Sequence, residues 1–283
     1  VPVTYQQLMD LQRPNQEVRY THKDSFLYAL SVGVASEGIE ESTLPFVYEH
    51  RPMRTIPSMA TVLMRAPVPE SGIDFRGLLH GEQRLTLHRA IPAEGTLIVD
   101  AGVSEVIDKG AEKGSVVLFE SRGRMPDGEP VFTTTTVLLA RRDGGIGGPG
   151  GTLPAPHPIP ERVPDLTVRV PTRPDASLLY RLNDDANPLH ADPEVAKKAG
   201  FPAPILHGLC TYGTVCAALV KTVCEGDAAR MATFDARFAS PVFPGEELQV
   251  DIWHDQSVVS FRCSVPARHQ VVLDHGRSEI RNA

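Results

Sequence analysis

With 283 residues, 41% of them hydrophobic and 22% charged, the chain is long enough for two domains of ordinary size and too apolar for disorder to be its default. Its formal net charge of −7 argues against a sequence-independent grip on nucleic acid, which rests on many Lys and Arg contacts to phosphate. No stretch approaches the roughly 20 apolar residues that span a bilayer, and none of the four cysteines forms a C-x-x-C pair, so reduced core thiols in a reducing compartment are expected.

The opening Val-Pro-Val-Thr lacks the charged-then-apolar order of a secretory leader, and the closing Arg-Asn-Ala is not a peroxisomal address, so a cytoplasmic location is the expectation. In the first half, Asp24 to Leu30 and Ile56 to Met64 read as apolar segments of a helix-rich opening. Ile91 to Val99 begins a strand, and Gly114 to Glu120 and Val131 to Ala140 read as two more. Residues 142–165 then combine a glycine cluster with several prolines and can sustain neither helix nor central strand. No Lys-Ser or Lys-Thr follows those glycines, so the segment reads as a linker and not as a phosphate-binding loop. It divides the chain into 1–141, the 142–165 linker and 166–283.

The second half carries the chemistry. Tyr180 to His190 places Asp185 and His190 five residues apart, and Asn187-Pro188 pushes Asn187 toward extended geometry, which favours a loop on which both side chains converge. An imidazole titrating near neutrality beside an ionised carboxylate suits a pair that holds and deprotonates water. The same letters also suit an ordinary turn whose histidine bonds a backbone carbonyl. Asp192 and Pro193 next open a short helix, Glu194 to Ala199, stopped by Gly200. Leu209 to Val223 is apolar nearly all round and reads as a buried helix with Gly226 beyond its end. The Gly208 start of that helix would present unpaired N–H groups suited to an enolate oxygen, or would simply allow close packing. Strands follow from Val242 to Val250, Val258 to Val265 and Gln270 to Ile280, so the halves repeat one another. Arg237 is a lone cation, better suited to pairing with a carboxylate than to forming a phosphate patch.

Tyr180 through His190, followed by Pro204-Ile205-Leu206-His207-Gly208-Leu209-Cys210, resembles the hydratase-2 motif of the MaoC-like family, which contains (R)-specific 2-enoyl-CoA hydratases and 3-hydroxyacyl-thioester dehydratases. The first half resembles the non-catalytic half of two-repeat members at Phe46-Val47-Tyr48-Glu49 and Leu79-His80-Gly81-Glu82-Gln83. The resemblance implies an α+β double hot-dog fold, each repeat a long helix wrapped by a curved antiparallel sheet. It implies that Asp185 and His190 grip the catalytic water, that Asn187 shapes the loop, and that the Gly208 N–H polarises a thioester carbonyl. Tyr28, Glu49, His80, Glu82 and Tyr180 match positions surrounding the pocket, with supporting roles. Two departures stand out. Asp184 replaces a small residue such as Gly and would raise a pKa if it faced inward with Asp185, and Ala186 replaces a bulky aromatic and would leave more room.

The expected reaction is hydration of a trans-2-enoyl thioester to the (R)-3-hydroxyacyl thioester, or its reverse. The substrate is acyl-CoA or an acyl-carrier thioester, no separate cofactor is expected, and a homodimer is. Without its own D-x-N-P-x-H loop, the first half is expected to receive the acyl chain. A hot-dog thioesterase and a non-catalytic acyl-thioester binder are the rival readings, and neither requires that loop. A metal held by Asp185, His190 and Asp192 is not expected, because the set lacks the spaced His and Cys ligands of zinc sites.

Overall fold

The computed structural model describes residues 3–282, so Val1-Pro2 and Ala283 of the terminal expectations lie outside the described residues. The first half supplies strands β1 (Gln12–Tyr20), β2 (Leu78–Leu87), β3 (Gly95–Asp108), β4 (Ser115–Arg124) and β5 (Pro130–Ala140). The second supplies β6 (Leu166–Pro171), β7 (Met231–Phe238), β8 (Glu247–Asp255), β9 (Val258–Val265) and β10 (Gln270–Ile280). All ten form one antiparallel sheet in the order β1-β3-β4-β5-β2-β7-β10-β9-β8-β6. Walking inward from either edge gives the same connectivity: first strand, third, fourth, fifth, then second. The repetition seen in the sequence is therefore also one of topology, as a double hot-dog requires.

Four strands escape the hydrophobic pattern. β1 and β6 are the sheet's edges, and β1 carries Arg13-Pro14-Asn15, the charge and proline that blunt an edge against further pairing. β2 and β7 meet at the seam between the halves, where Glu82, Arg84, Asp235 and Arg237 put charge among their outward residues. At that seam Asp235 Oδ1 accepts from the Leu85 N–H at 3.1 Å, replacing a ladder carbonyl.

Six helices accompany the sheet among the described residues: α1 (Tyr5–Met9), α2 (His22–Ser31), α3 (Ala60–Leu63), α4 (Ala176–Tyr180), α5 (Pro193–Lys198) and α6 (Gly208–Thr222). Every residue of α6 from Cys210 to Cys216 is buried, as a run apolar nearly all round requires, and the Thr214 hydroxyl within it donates to the Cys210 carbonyl at 2.9 Å. Val215, Leu219 and Val220 are almost fully buried, each worth about 1.5–3 kcal/mol of transfer free energy. A side chain on Gly213 would meet Val32 Cγ1 at 2.5 Å and the Tyr28 hydroxyl at 2.8 Å, so α6 crosses α2 where only glycine fits. The helix ends as the Gly226 N–H, at φ 78°, bonds the Val220 carbonyl at 2.8 Å.

One detail of the expected repeat changes. The element before β2 that matches α6 is only a 3₁₀ turn, Pro57–Met59, leading into the four residues of α3. Prolines at 57 and 67 bracket it, and Arg65 takes φ 52°, so no long helix can form there. Residues 142–165 hold neither helix nor strand.

Candidate active site

The site forms where the loop after α4 meets the start of α6. Asn187, extended ahead of Pro188, caps the 3₁₀ turn Pro188–His190 by accepting from the Leu189 N–H at 3.0 Å. The Asp185 carboxylate accepts from the Asn187 N–H at 3.3 Å, an Asx-type turn. Together these bonds aim His190 inward, where the residue is 9% exposed.

There His190 Nδ1 lies 2.9 Å from the Ile205 carbonyl. Only an Nδ1–H can make that contact, which leaves Nε2 with a free lone pair. The two readings of this histidine thus combine, since the carbonyl bond fixes the tautomer that a base needs. Burial lowers the His190 pKa, against a smaller opposing pull from the Ile205 carbonyl and Asp185, and so keeps the ring neutral.

A third member, His207, comes from the segment directly before Gly208. His207 is 1% exposed, and its ring centroid lies 3.8 Å from that of His190. Its Nε2 is 3.3 Å from the Asp185 carbonyl oxygen and 4.0 Å from Oδ2, and its Nδ1 is buried without a partner. Burial, and then His190, push its pKa down to about 4. One donor atom each from Asp185, His190 and His207 lie within 4.8 Å of one another. Water makes hydrogen bonds of about 2.7–3.0 Å, so one molecule can bridge groups at this spacing. The sequence signal for His207 was its place directly before Gly208.

Gly208 opens α6, and no acceptor is found for its N–H among the described residues. A Cβ there would stand 3.1 Å from the Phe238 ring, so the close-packing reading of this glycine also holds. His80 also packs on Phe238, at 4.5 Å between ring centroids. Burial lowers the His80 pKa to about 4, while Asp185 is near enough to pull the other way. Tyr180 packs 4.9 Å from His207, and Tyr28 follows 6.2 Å from Tyr180. Both hydroxyls are buried without partners, and burial raises both pKa values.

The remaining expected positions lie apart. Glu82 does not face this group: a bulge at Gly81 between His80 and Glu82 turns it to the other side of the sheet. There it meets Arg84 Nε at 2.5 Å and Arg237 Nε at 2.8 Å, under residues 154–157 of the linker. Arg237 is thus the paired cation its isolation suggested. Glu49 is exposed in a turn, and no hydrogen bond or ion pair ties it to Asp185 or His190 among the described residues. Asp184 points outward, its side chain 85% exposed, so the inward carboxylate pair does not form. Its φ of 68° explains why glycine suits the position. Ala186 is also exposed, so it does not enlarge an interior pocket. Asp192 caps α5 through the Glu194 and Val195 N–H groups and leaves the cluster.

Both halves of the chain match known proteins. Residues 156–273 match the model of the MaoC like domain, and residues 18–142 match that of the MFE-2 hydratase 2 N-terminal domain. The chain is 40% identical over 277 residues to 3-hydroxyacyl-thioester dehydratase Y of Mycobacterium tuberculosis, covering 92% of each. It is 34% identical to peroxisomal enoyl-CoA hydratase 2 of Arabidopsis thaliana, covering 91% of this chain and 90% of that one. Among solved structures it superposes on a MaoC-like dehydratase from Phytophthora capsici with a TM-score of 0.86 at 31% identity, covering 99% and 98% of the two chains.

Proposed function

The chain belongs to the MaoC-like family in its two-repeat, hydratase 2 form and is a hydro-lyase that hydrates enoyl-CoA or dehydrates the 3-hydroxyacyl thioester; on that premise we propose how its residues do so and with which stereochemistry. A trans-2-enoyl thioester binds with its carbonyl oxygen at the Gly208 N–H, aided by the positive end of α6. Water sits between the Asp185 carboxylate and His190 Nε2. Its oxygen bonds to C3 as that pair takes its proton, the electrons of the double bond move into an enolate held at Gly208, and the proton is delivered to C2. Addition on one face gives the (R)-3-hydroxyacyl thioester, and dehydration runs the same steps backward.

The observation that carries this reading is the convergence of Asp185 and a neutral His190 beside the first turn of α6. A cavity of about 500 Å³, mostly apolar in surface with charged residues such as Glu40 and Lys221 among its lining, supports the acyl-receiving role of the first half. Val32, Phe46 and Ile56 line it from that half, Ala217 and Val220 from α6. It first touches the helix at Thr214, six residues past Gly208, or about 9 Å along the axis.

The test is loss of the conjugated thioester absorbance of crotonyl-CoA, with chiral analysis of the product. Asp185→Asn and His190→Ala should each lower turnover by roughly two orders of magnitude or more, as loss of an acid–base group does. Near-normal turnover in both folded variants would remove these residues from their roles.

No helix among the described residues is long and apolar enough to cross a membrane. A cytoplasmic location remains part of this proposal, supported by four unpaired, buried cysteines. So does a homodimer, which light scattering after gel filtration would test.

A further inference from the structure

The cavity beside α6 is open at its far end. Thr214, Ala217, Ala218 and Lys221 face it at helical spacings of three and four, so it runs along the helix axis. Val32, Phe46, Ile56 and Thr214 wall its deep part and are buried, whereas Glu37, Ser42, Lys221 and Glu225 around the other end are exposed. Lys221 stands thirteen residues past Gly208, or about 20 Å along the axis. An extended carbon chain advances about 1.2 Å per bond, the stride of an extended backbone, so a thioester held by its carbonyl at Gly208 brings roughly its sixteenth carbon to this opening.

Residues 33–43, between α2 and the Leu44–Phe46 turn, form the rim on the side of the first half. Short-range bonds hold this segment to itself, such as the Ser36 N–H to the Gly33 carbonyl at 3.1 Å and the Gly38 N–H to the Ala35 carbonyl at 3.3 Å. Ala35 takes a left-handed φ of 61°, strained for a residue with a side chain, so the segment's own backbone does not favour the closed shape. Among the described residues, its one ion pair or hydrogen bond to the second half joins Glu40 Oε2 to Lys221 Nζ at 3.1 Å, between two walls of the cavity. Ser42 Oγ donates to the same carboxylate at 3.2 Å. Lys221, and then Ser42, hold the Glu40 carboxyl below its usual range, so the pair is charged at neutral pH.

We propose that this end is a second mouth of the acyl tunnel and that the Glu40–Lys221 pair latches residues 33–43 across it, setting the longest acyl chain the enzyme takes. The proposal rests on the acyl-receiving reading given above. Chains of up to about 16 carbons end inside, where each further CH₂ removed from water strengthens binding by up to about fourfold. Carbons beyond that emerge among charged side chains and gain nothing, and the chain must part the pair to emerge at all. Both partners are about half exposed, and such a pair shifts an equilibrium by at most about fivefold, which fixes the size of the effect.

The test measures kcat/KM of the full chain for straight trans-2-enoyl-CoA esters of about 4 to 22 carbons. Values should rise to about 16 carbons and fall beyond. Glu40→Gln and Lys221→Gln should each raise the ratio of an ester of about 20 carbons to one of about 12 by roughly two- to fivefold, and the swap combining Glu40→Lys with Lys221→Glu should bring the ratio back. An unchanged ratio in both single variants, or a swap that leaves it raised, overturns the latch. Ala217→Phe tells the two failures apart, because residue 217 meets the cavity ahead of the mouth. Long esters lost in Ala217→Phe, with the ratio flat in the Glu40 and Lys221 variants, refute the latch alone; long esters that Ala217→Phe leaves as good as crotonyl-CoA refute the acyl cavity itself.

Discussion

Replacing Glu82 with Gln separates a stabilising role at the seam from a role in the pocket. The carboxylate is part of a residue only 8% exposed, and it serves two guanidinium groups at once, Arg84 on its own strand and Arg237 across the β2–β7 junction. Breaking a fully buried pair costs about 3–5 kcal/mol, because the remaining charge is left without a partner. Here the arginine side chains keep 30% and 27% of their exposure, so water screens part of the loss and about 2 kcal/mol is the expected cost. Glutamine keeps one carbonyl acceptor, which holds the figure to that level. A chain of this length unfolds with an entropy near 0.6 kcal/mol/K, so the melting temperature should fall by about 3 °C. Calorimetry and crotonyl-CoA hydration on the same preparation decide it: the melt should shift while kcat stays within about twofold. An unchanged melt with kcat down tenfold would return Glu82 to the pocket and refute the bulge argument.

Gly208→Ala should lower kcat severalfold, with less effect on the melt, because its Cβ meets Phe238 at 3.1 Å and must tilt the amide that faces the thioester oxygen; equal kcat would deny the amide its role. Acid stability follows from buried neutral histidines. Burial depresses His80 and His207 from 6.5 to about 4, so unfolded chains bind more protons below pH 6.5, and the stability present above that pH is lost progressively as pH falls toward 4. Asp235, raised by burial to about 6, acts in the opposite sense, but two histidines with larger shifts outweigh it. Urea midpoints should therefore fall between pH 7 and pH 4.5, less steeply in His207→Gln, and a flat profile would contradict the burial of these rings. Ala217→Phe should fill the cavity beside α6, cutting turnover of long enoyl thioesters while sparing crotonyl-CoA; equal losses on both would place the acyl chain elsewhere.

Much was legible in one dimension because the relevant physics is local. Asn187-Pro188 and Asp192-Pro193 set their own turns and caps, the apolarity of residues 209–223 demanded burial, and Gly208 and Gly226 mark the two ends of the resulting helix. The Asp185–His190 loop could be named from its letters for the same reason. Strands β1, β2, β6 and β7 stayed hidden because edges and seams carry charge where a core strand carries alternation, and pairing partners many residues away satisfy their backbones.

The sequence by itself determined the repeat, the linker and the loop that bears the acid and the imidazole. Tertiary structure alone decided which side chains join that loop. His207 comes from 17 residues beyond His190, and only the docking of α6 brings the two rings into contact. Glu82 sits two residues from His80, yet one extra residue in the ladder sends it to the opposite face. Asp184 adjoins Asp185, but a left-handed backbone turns its charge to water. In each case the deciding quantity is the direction of a side chain, which depends on φ, on register and on the contacts of distant segments, and none of these is encoded in the spacing of letters.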